Sequence, residues 1–525
     1  MNRDQVLETL KTNTPQVWDF IIIGGGASGL GTALEAASRG YKTLLLEQAD
    51  FAKGTSSRST KLVHGGVRYL AQGNIALVRE ALQERGLLFK NAPHVVKIQK
   101  FIVPSYTWWS GFYYTLGLKV YDWLSGSRSF GASSFISKSK TLTEIPNLKS
   151  KGLRGATVYY DGQFDDTRLA INIAQTVVEQ GGFVINYMSV TQLLKSSQGK
   201  VCGVKALDLE QNQEYEIQGK AIINATGVFA DVVLQLDKPE SRKMIRPSQG
   251  VHIVLDKKFL AGDTALMIPK TSDGRVLFII PWHDKVIVGT TDTPIRESSL
   301  EPIATESEID FILKTAQDYL QIQPQKEDIL SVFAGLRPLA APQEDQQSTK
   351  EISRNHKILV SDSQLITITG GKWTTYRKMA QDAVDKAIRK LGLSPQKSVS
   401  KFLPLHGYIL AQEDNKQSFQ IYGSDQQAID ALKAEKPELS EVIHPKTDIS
   451  LAEIVWSVHH EMARTIEDFL ARRRRLLFLD AQTSLEAAPK VAECMAKELG
   501  KDKNWQKNQL DVYTQTVANY VLKHL

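Results

Sequence analysis

A glycine-rich loop near the N-terminus has the spacing of a phosphate-binding turn. Gly24, Gly26 and Gly29 form a G-x-G-x-x-G pattern between a short apolar run and an alanine-rich stretch. The first glycine permits a tight turn, the second lets a pyrophosphate approach the backbone, and the third lets the helix pack closely on the strand. Glu47 ends the next apolar run, where a carboxylate can bind ribose hydroxyls. The pattern predicts a dinucleotide site.

Two further glycine turns favour FAD over a nicotinamide cofactor. "NATG" (224–227) and "TITGGKWTTYR" (367–377) each end an apolar run and precede a helical pattern. A nicotinamide-dependent dehydrogenase needs only the first loop, and Glu47 disfavours the 2′-phosphate of NADP. Each later turn alone is also typical of an ordinary strand-to-helix connection, but three in this order predict a flavoprotein. The residues expected to bind FAD are Gly24, Gly25, Gly26, Ser28, Gly29, Glu47, Ser57, Thr226, Gly227, Gly371 and Thr374.

Positive charge and bare backbone coincide in "GTSSRSTKLVHGGVRYL" (54–70). Arg58, Lys61, His64 and Arg68 surround two adjacent glycines there. Glycines let the backbone pass close to a flat ring, and the cations suit cofactor and substrate phosphates. Arg58 and Lys61 lie nearer the nucleotide loop in sequence, so we expect them to serve the FAD pyrophosphate or a structural ion pair.

The elements that must position these residues follow from the apolar pattern. Residues 20–23 and 42–46 are predicted to be buried parallel strands flanking a helix that ends at Gly40. The apolar run before "NATG" is expected to close the same sheet. Alternating segments at 182–194, 200–210 and 245–295 predict strands of a separate sheet.

The predicted fold class is α/β, with an FAD-binding Rossmann-like domain interleaved with a mixed-sheet substrate domain. An all-helical C-terminal domain follows, because helical periodicity begins near Ser398. The oxidoreductase region is expected to span 1–397, and the helical domain 398–525. Within the first region, the FAD-binding segments are expected at about 18–90, 155–245 and 330–390, and the substrate-domain segments at about 91–154 and 246–329.

Five longer motifs resemble one known family. "GTSSRSTKLVHGGVRYL", "SQGVHIVLD", "FIIPWHDKVIVGTTDT", "AGLRPLAAP" and "GGKWTTYRKMAQDAVD" look like the FAD-dependent glycerol-3-phosphate dehydrogenase family, from about residue 18 to the C-terminus. The resemblance implies oxidation of sn-glycerol 3-phosphate to dihydroxyacetone phosphate, with electrons passed to a membrane quinone. A related oxidase branch uses oxygen and carries a long inserted segment that this sequence lacks, which favours the quinone. Another FAD-dependent oxidoreductase of the same fold is the remaining alternative.

The resemblance also implies roles for individual residues. Alcohol oxidation needs a base for the hydroxyl proton and positive charge beside the developing alkoxide. His252 is the candidate base, Arg337 the candidate alkoxide stabiliser, and Lys372 the residue expected to reach flavin or substrate oxygens. The candidates for the substrate phosphate clamp are Arg68, Tyr69 and Arg354.

Composition indicates the cellular compartment and the kind of membrane association to expect. The chain has a net charge of +6 and only two cysteines, Cys202 and Cys494, so we expect no disulfide framework and a reducing compartment. The N-terminus lacks the apolar core of a secretory signal, and no stretch is apolar enough to span a bilayer. Aromatic residues crowd 106–126, which suits a bilayer interface, a buried cluster or a subunit contact. We expect a cytoplasmic protein bound peripherally to the inner face of the cell membrane, with a homodimer left open.

Two further patterns, an arginine run and a zinc-like motif, are predicted to have no ligand-binding role. Four adjacent arginines at 472–475 follow Glu467 and Asp468, so a solvated, capping or ion-paired role is favoured over lipid contact. The cations elsewhere are dispersed, so nucleic-acid binding is not expected. "HHEMA" (459–463) lacks the second histidine of a zinc helix motif because Arg464 occupies that position, so we expect no metal site.

Overall fold

The computed structural model describes residues 1–11, 16–67, 70, 73–126, 129–340, 356–410 and 419–522. In these ranges the helices are α1 Arg3–Lys11, α2 Ala27–Ser38, α3 Ile75–Asn91, α4 Trp108–Ser125, α5 Lys138–Glu144, α6 Asp166–Glu179, α7 Ala230–Asp237, α8 Glu306–Tyr319, α9 Tyr376–Leu391, α10 Gln426–Glu435, α11 Leu451–His460, α12 Leu476–Leu479, α13 Ala481–Leu499 and α14 Lys503–Val517. The strands are β1 Trp18–Ile23, β2 Thr43–Leu46, β3 Leu62–Val63, β4 Val96–Ser105, β5 Ser134–Ser137, β6 Gly155–Phe164, β7 Phe183–Ile185, β8 Met188–Lys195, β9 Val201–Asp208, β10 Gln213–Asn224, β11 Ile245–Asp256, β12 Ala265–Ile268, β13 Leu277–Trp282, β14 Lys285–Gly289, β15 Thr293–Pro294, β16 Ile329–Ala340, β17 Lys357–Val360 and β18 Ile366–Thr369.

The first sheet carries the nucleotide loop. Its strands lie in the order β17, β18, β10, β1, β2 and β7, and β1 runs parallel to both β10 and β2. The central strands are nearly uninterrupted apolar runs and are almost fully buried, as parallel strands in such folds are. The predicted strand–turn–helix–strand unit is therefore present, with α2 between β1 and β2.

The sheet corrects two sequence expectations. The strand before "NATG" does not close the sheet, because β10 lies inside it between β1 and β18. The segments at 182–194 and 200–210 do not belong to a separate sheet, since β7 joins the first sheet and β8 and β9 form an antiparallel extension on β10. Alternation identifies a half-buried strand, but it does not identify the strand's partner.

The second sheet is mixed. Its strands follow the order β15, β11, β14, β13, β12, β4, β6 and β3, with β16 paired to β11 and β5 to β6. All of these pairs are antiparallel except β12 with β4. The strands at 155–164 and 329–340, which the sequence assigned to FAD-binding segments, belong to this second sheet. The fold class itself, with two sheets and a helical C-terminal region, is confirmed.

The arginine run at 472–475 joins the C-terminal helices to the first sheet. Its first residues end a π-helix, Asp468–Arg473, and the Arg472 and Arg473 side chains are 2% and 0% exposed. Both guanidinium groups donate to Asp50, which lies shortly after β2. The ion-paired interpretation is confirmed, and the solvated one is wrong.

Helix α4 contains most of the aromatic segment. Trp108, Trp109, Phe112, Tyr113 and Trp123 are between 64% and 82% exposed, whereas Tyr121 on the opposite side is 1% exposed. The segment is therefore mainly an exposed aromatic face rather than a buried cluster. Across the described ranges, no helix combines the length and apolarity required to cross a membrane.

Candidate active site

The nucleotide loop turns sharply between β1 and α2, and its glycines are required by the geometry. Gly24 has a φ of +109°, and a Cβ there would lie 2.8 Å from the carbonyl oxygen of Ala225 at the end of β10. A Cβ on Gly29 would overlap the carbonyl oxygen of Gly24. Helix α2 begins after Gly26 without a side-chain cap, so its positive end faces the loop.

Glu47 holds the opposite side of this loop. One carboxylate oxygen accepts from the Gly25 N–H at 2.5 Å, and the other accepts from the Ala49 N–H at 2.8 Å. Burial raises the pKa of Glu47 above its ordinary value, and the two backbone donors counteract part of that rise. The carboxylate is thereby fixed beside the loop, in the position expected of a ribose-binding group.

A cavity of about 240 Å³, here called the nucleotide groove, runs from this loop past the end of β10 to the turn before α9. Most of the predicted cofactor residues line it, namely Gly24, Gly26, Ser28, Glu47, Thr226, Gly227 and Gly371. Gly25 and Gly29 shape the loop instead. Ser57 is buried outside the lining of the groove; its hydroxyl donates to the carbonyl oxygen of Gly54 at 3.4 Å, and its own carbonyl oxygen accepts from Lys61 Nζ at 2.6 Å.

A second cavity of about 240 Å³ continues from the nucleotide groove and is called the ring cavity. The two share Thr55, Pro338, Gly370, Gly371, Lys372 and Trp373 as lining residues. The second contains the three predicted catalytic residues, His252, Arg337 and Lys372, together with Thr374. An elongated space with a phosphate-binding turn at one end and a polar chamber at the other fits FAD.

His252 projects from β11 into the ring cavity. Its Nε2 forms a 2.9 Å hydrogen bond with Thr60 Oγ1, and its ring stacks on Phe333 with centroids 4.9 Å apart. Burial, and then the charges of Arg337 and Lys61, hold the pKa of His252 well below its ordinary value. The imidazole is therefore neutral near neutral pH and able to accept a proton.

Arg337 lies on β16, directly across from the part of β11 that carries Gly250. Its guanidinium donates to Thr290 Oγ1 at 3.2 Å, to the carbonyl oxygen of Thr291 at 2.9 Å and to Asp292 at 3.3 Å. A Cβ at Gly250 would collide with the guanidinium, so this glycine makes room for it. The side chain remains 23% exposed and lines the ring cavity.

Lys372 lies in a different environment from Arg58 and Lys61. Lys372 follows the Gly370–Gly371 turn and lines both the nucleotide groove and the ring cavity. Lys61 is fully buried and donates to both oxygens of Asp166 at 2.8 Å, while Arg58 pairs with Glu301 at 2.7 Å. The expectation of a structural ion pair is confirmed for both Arg58 and Lys61.

The substrate-phosphate candidates Arg68, Tyr69 and Arg354 lie outside the described residues. His64, one of the cations that the sequence singled out in 54–70, lines the ring cavity, and so does Thr60, which sequence reasoning missed. It also missed Thr290 and Asp292, which fix the Arg337 guanidinium. The signal was available, because the motifs "STKLVH" and "GTTDT" contain all four, but nothing in the residue types indicated which would face the cavity.

The arrangement supports removal of a proton and stabilisation of an anion at one place. A neutral imidazole, a guanidinium and an ammonium group line one chamber, which is continuous with a dinucleotide groove. No cluster of three or more potential metal ligands occurs in the described part of the chain. This combination is typical of a flavin-dependent oxidoreductase acting on an alcohol with nearby negative charge.

Comparison with known proteins agrees with this class. The family model described as FAD dependent oxidoreductase matches residues 19–377, and the model described as C-terminal domain of alpha-glycerophosphate oxidase matches residues 361–506. The chain is thus an FAD-dependent oxidoreductase, and FAD as its cofactor is confirmed.

The relatives define the family more narrowly. The mitochondrial glycerol-3-phosphate dehydrogenase of Schizosaccharomyces pombe is 38% identical, over 98% of this chain and 89% of its own length. The human mitochondrial enzyme of that name is 38% identical, over 97% of this chain and 74% of its own. The structure of glycerol-3-phosphate dehydrogenase from Bacillus halodurans, complexed with FAD, superposes with a TM-score of 0.81 at 28% identity, covering 99% of this chain and 98% of that one. The chain belongs to the FAD-dependent glycerol-3-phosphate dehydrogenase family.

Proposed function

We propose that this chain oxidises sn-glycerol 3-phosphate to dihydroxyacetone phosphate and passes the electrons to a membrane quinone. The observation that carries the proposal is the meeting of His252, Arg337 and Lys372 in a ring cavity continuous with the nucleotide groove. The family membership supports the substrate, and the residue pattern supplies the chemical groups that its oxidation requires.

In the proposed mechanism, two residues and the cofactor take the three parts of the reaction: proton removal, charge stabilisation and hydride acceptance. His252, neutral because its pKa is lowered, takes the proton of the C2 hydroxyl. Arg337, held by Thr290, Thr291 and Asp292, stabilises the negative charge that develops on that oxygen. FAD, when bound, supplies the hydride acceptor. Together these steps convert the secondary alcohol into a ketone.

The charged groups around the chamber are assigned to the anionic parts of the ligands. Lys372 lies where the nucleotide groove meets the ring cavity, so we assign it to oxygens of flavin or substrate. Arg68, Tyr69 and Arg354 are the proposed clamp for the substrate phosphate, since guanidinium groups bind phosphate with two parallel donors.

The first test is the visible spectrum of the purified holoenzyme under anaerobic conditions. Addition of sn-glycerol 3-phosphate should bleach the oxidised flavin band, because two electrons enter the cofactor. Glycerol at the same concentration should leave the band unchanged, since it lacks the phosphate. A flavin band that persists with sn-glycerol 3-phosphate would exclude this substrate while leaving the fold and cofactor in place.

The acceptor is proposed from the sequence and from helix α4. A membrane quinone is dissolved in the bilayer, so an enzyme that reduces it must bind the membrane surface. The exposed aromatic face of α4 suits the bilayer interface on the inner side of the cell membrane. Replacing Trp108, Trp109 and Phe112 together by serine should release a still-active enzyme from phospholipid vesicles. If the variant still sediments with vesicles, the membrane assignment is wrong; if it instead loses a dimer, the face is a subunit contact.

Oxygen is the second candidate acceptor, favoured by the oxidase name of the C-terminal family model. The two acceptors are distinguished by the reoxidation of substrate-reduced enzyme. Fast reoxidation by a short-chain quinone and slow reoxidation by air would support the dehydrogenase, and the reverse order would support the oxidase.

A further inference from the structure

The nitrogen of His252 that makes a hydrogen bond is Nε2, and its partner is the Thr60 hydroxyl. Nε2 and Thr60 Oγ1 are 2.9 Å apart. Nδ1, the other ring nitrogen, is buried and has no hydrogen-bond partner among the residues that the structure describes. His252 as a whole is only 2% exposed. A proton that His252 takes from a ligand is therefore expected to arrive at Nε2, where the Thr60 hydroxyl already makes the contact.

Thr60 lies closer to the open space than His252 does. It is half-buried, and it lines both the ring cavity and a neighbouring cavity of about 180 Å³, whereas His252 lines only the first of these two. Arg337, the proposed alkoxide stabiliser, lines the same two cavities as Thr60. The Thr60 hydroxyl is therefore placed between the substrate space and the buried imidazole.

Thr60 is held in position by its two neighbours in the chain. The Ser59 hydroxyl donates to Asp166 Oδ2 at 2.7 Å and accepts from the Lys61 N–H at 3.0 Å. Lys61 Nζ is buried and donates to both oxygens of the same carboxylate at 2.8 Å. The backbone at Thr60 is thus attached from both sides to one buried carboxylate in the first turn of α6. A β-branched side chain also has few χ1 rotamers, so the hydroxyl is kept on His252.

Aromatic rings tie Lys61 to the same part of the site as His252. The Lys61 ammonium lies 5.0 Å from the ring centroid of Trp282, 5.4 Å from that of Phe478 and 5.5 Å from that of Phe333. The His252 ring stacks on that same Phe333. Lys61 has a φ of +61°, a left-handed conformation that non-glycine residues adopt mainly where their surroundings impose it. The segment that carries Thr60 is therefore rigidly placed against the imidazole.

We propose that the Thr60 hydroxyl is a catalytic group that relays the proton of the C2 hydroxyl to Nε2 of His252. This inference rests on the proposed function, which supplies the alcohol. The O–H bond at C2 breaks as its proton moves to Thr60 Oγ1, while the hydroxyl proton of Thr60 moves to Nε2 and forms an N–H bond. The hydrogen on C2 leaves with its electron pair, for which bound FAD is the acceptor, and C2 becomes a carbonyl carbon. The relay requires the neutral tautomer of His252 that carries its proton on Nδ1.

Removing the hydroxyl while keeping the branched shape tests the relay. In Thr60→Val, the rate of anaerobic flavin reduction by sn-glycerol 3-phosphate should fall about 10²-fold or more, the usual contribution of a positioned proton-transfer group. Thr60→Ser keeps a hydroxyl and should retain most of the wild-type rate. Thr315→Val in α8 is the matched control, because its hydroxyl donates to the carbonyl oxygen of Phe311 at 2.8 Å and it lines neither cavity. Its rate should equal that of the wild type.

Two further readouts separate the relay from other roles of Thr60. If Thr60 and His252 belong to one proton path, the double variant Thr60→Val/His252→Ala should reduce flavin no more slowly than His252→Ala alone. Multiplied losses would instead indicate a general structural effect and overturn the relay. Nitrogen-15 NMR of the histidine-labelled holoenzyme should show the proton of His252 on Nδ1, its signals being those absent in His252→Ala. A proton on Nε2 would make Thr60 the acceptor and also overturn the relay.

The wild-type enzyme distinguishes failure of this inference from failure of the proposed function. If sn-glycerol 3-phosphate bleaches the wild-type flavin and Thr60→Val reacts at the wild-type rate, the function stands and the relay is wrong. Equal losses in Thr60→Val and Thr60→Ser would also overturn it, because the hydroxyl would then not be the group that matters. If the wild-type flavin is not bleached, the substrate is wrong and the relay fails with it.

Discussion

Two arginines in different regions of this molecule, Arg472 in the C-terminal run and Arg337 in the ring cavity, have different surroundings. In the C-terminal run, Arg472 donates to Asp50, Glu467 and Asp468, so three carboxylates surround one guanidinium. In the ring cavity, the acceptors of the Arg337 guanidinium include the carbonyl oxygens of Gln249 and Thr291, the Thr290 hydroxyl and the Asp292 carboxylate. The first guanidinium is 2% exposed and the second 23%.

The difference between the two guanidinium groups indicates which of them can reach a ligand. A guanidinium surrounded by carboxylates has its charge compensated and acts as a structural connection. A guanidinium that is partly exposed and lines a cavity can donate to a substrate oxygen there. Both residues are arginines, so residue type alone does not distinguish a structural guanidinium such as that of Arg472 from one that lines the ring cavity such as that of Arg337. Their surroundings in the fold do.

The largest expected effect is on stability, from breaking the compensated region. Arg473→Met leaves Asp50 with one guanidinium partner fewer in a fully buried position, since Arg473 donates to both Asp50 oxygens at 2.7 and 3.0 Å. We expect a loss of about 3–5 kcal/mol of unfolding free energy, the range for a broken buried pair. Chemical denaturation of the holoenzyme measures it, and turnover per folded molecule should remain near the wild-type value.

An exposed pair and a double variant serve as controls for that prediction. Arg464→Ala breaks a partly exposed pair with Glu210 at 2.7 Å and should cost only about 0–1 kcal/mol. Arg473→Met combined with Asp50→Asn should cost less than the sum of the single changes, because the two groups interact. Equal costs for Arg473→Met and Arg464→Ala would contradict the proposed division between compensated and exposed charge.

The next effect is on catalysis, from removing the guanidinium that lines the ring cavity. Arg337→Ala should lower kcat about 10²- to 10³-fold, as loss of one oxyanion donor does, while FAD stays bound. Because the Arg337 charge helps to lower the pKa of His252, the acidic limb of the kcat/KM profile should also move to higher pH in the variant. Steady-state kinetics across pH and the flavin content of purified protein measure both, and loss of flavin would refute the assignment.

Local patterns predicted the cofactor end of the site well. The G-x-G-x-x-G loop, Glu47 and the turns at 224–227 and 370–371 meet along one groove because each follows a parallel strand of the same sheet. Ends of parallel strands share an edge, so sequence order and strand type suffice to bring them together. Ser57, in a short 3₁₀ turn, does not line the groove, because no such rule orients a residue in a turn.

Strand partners and buried charges could not be predicted in the same way. The strands at 155–164 and 329–340 join the second sheet through pairing with β4 and β11, which their own alternation does not specify. For the four adjacent arginines the sequence left solvated, capping and ion-paired roles open, because some of their carboxylate partners, such as Asp50 and Asp165, are distant in sequence. Long-range pairing of this kind depends on the complete fold.

The smallest effect concerns a charge that pH can remove. When charged, His406 donates from Nδ1 to Glu179 of α6 at 2.5 Å and from Nε2 to Asp425 at 2.7 Å, and the buried His94 also faces it. Burial opposes its charge, but the two carboxylates prevail and raise the pKa of His406 to about 9. The stability it adds is therefore complete below its ordinary pKa of 6.5 and disappears as the pH rises through about 9. His406→Gln should cost about 1 kcal/mol at pH 6, the upper range for partly exposed pairs, and almost nothing above the raised pKa. Denaturant unfolding of the wild type and the variant across this pH range measures the difference in their unfolding free energies. If that difference is the same at every pH, His406 stabilises the protein by packing and not by its charge.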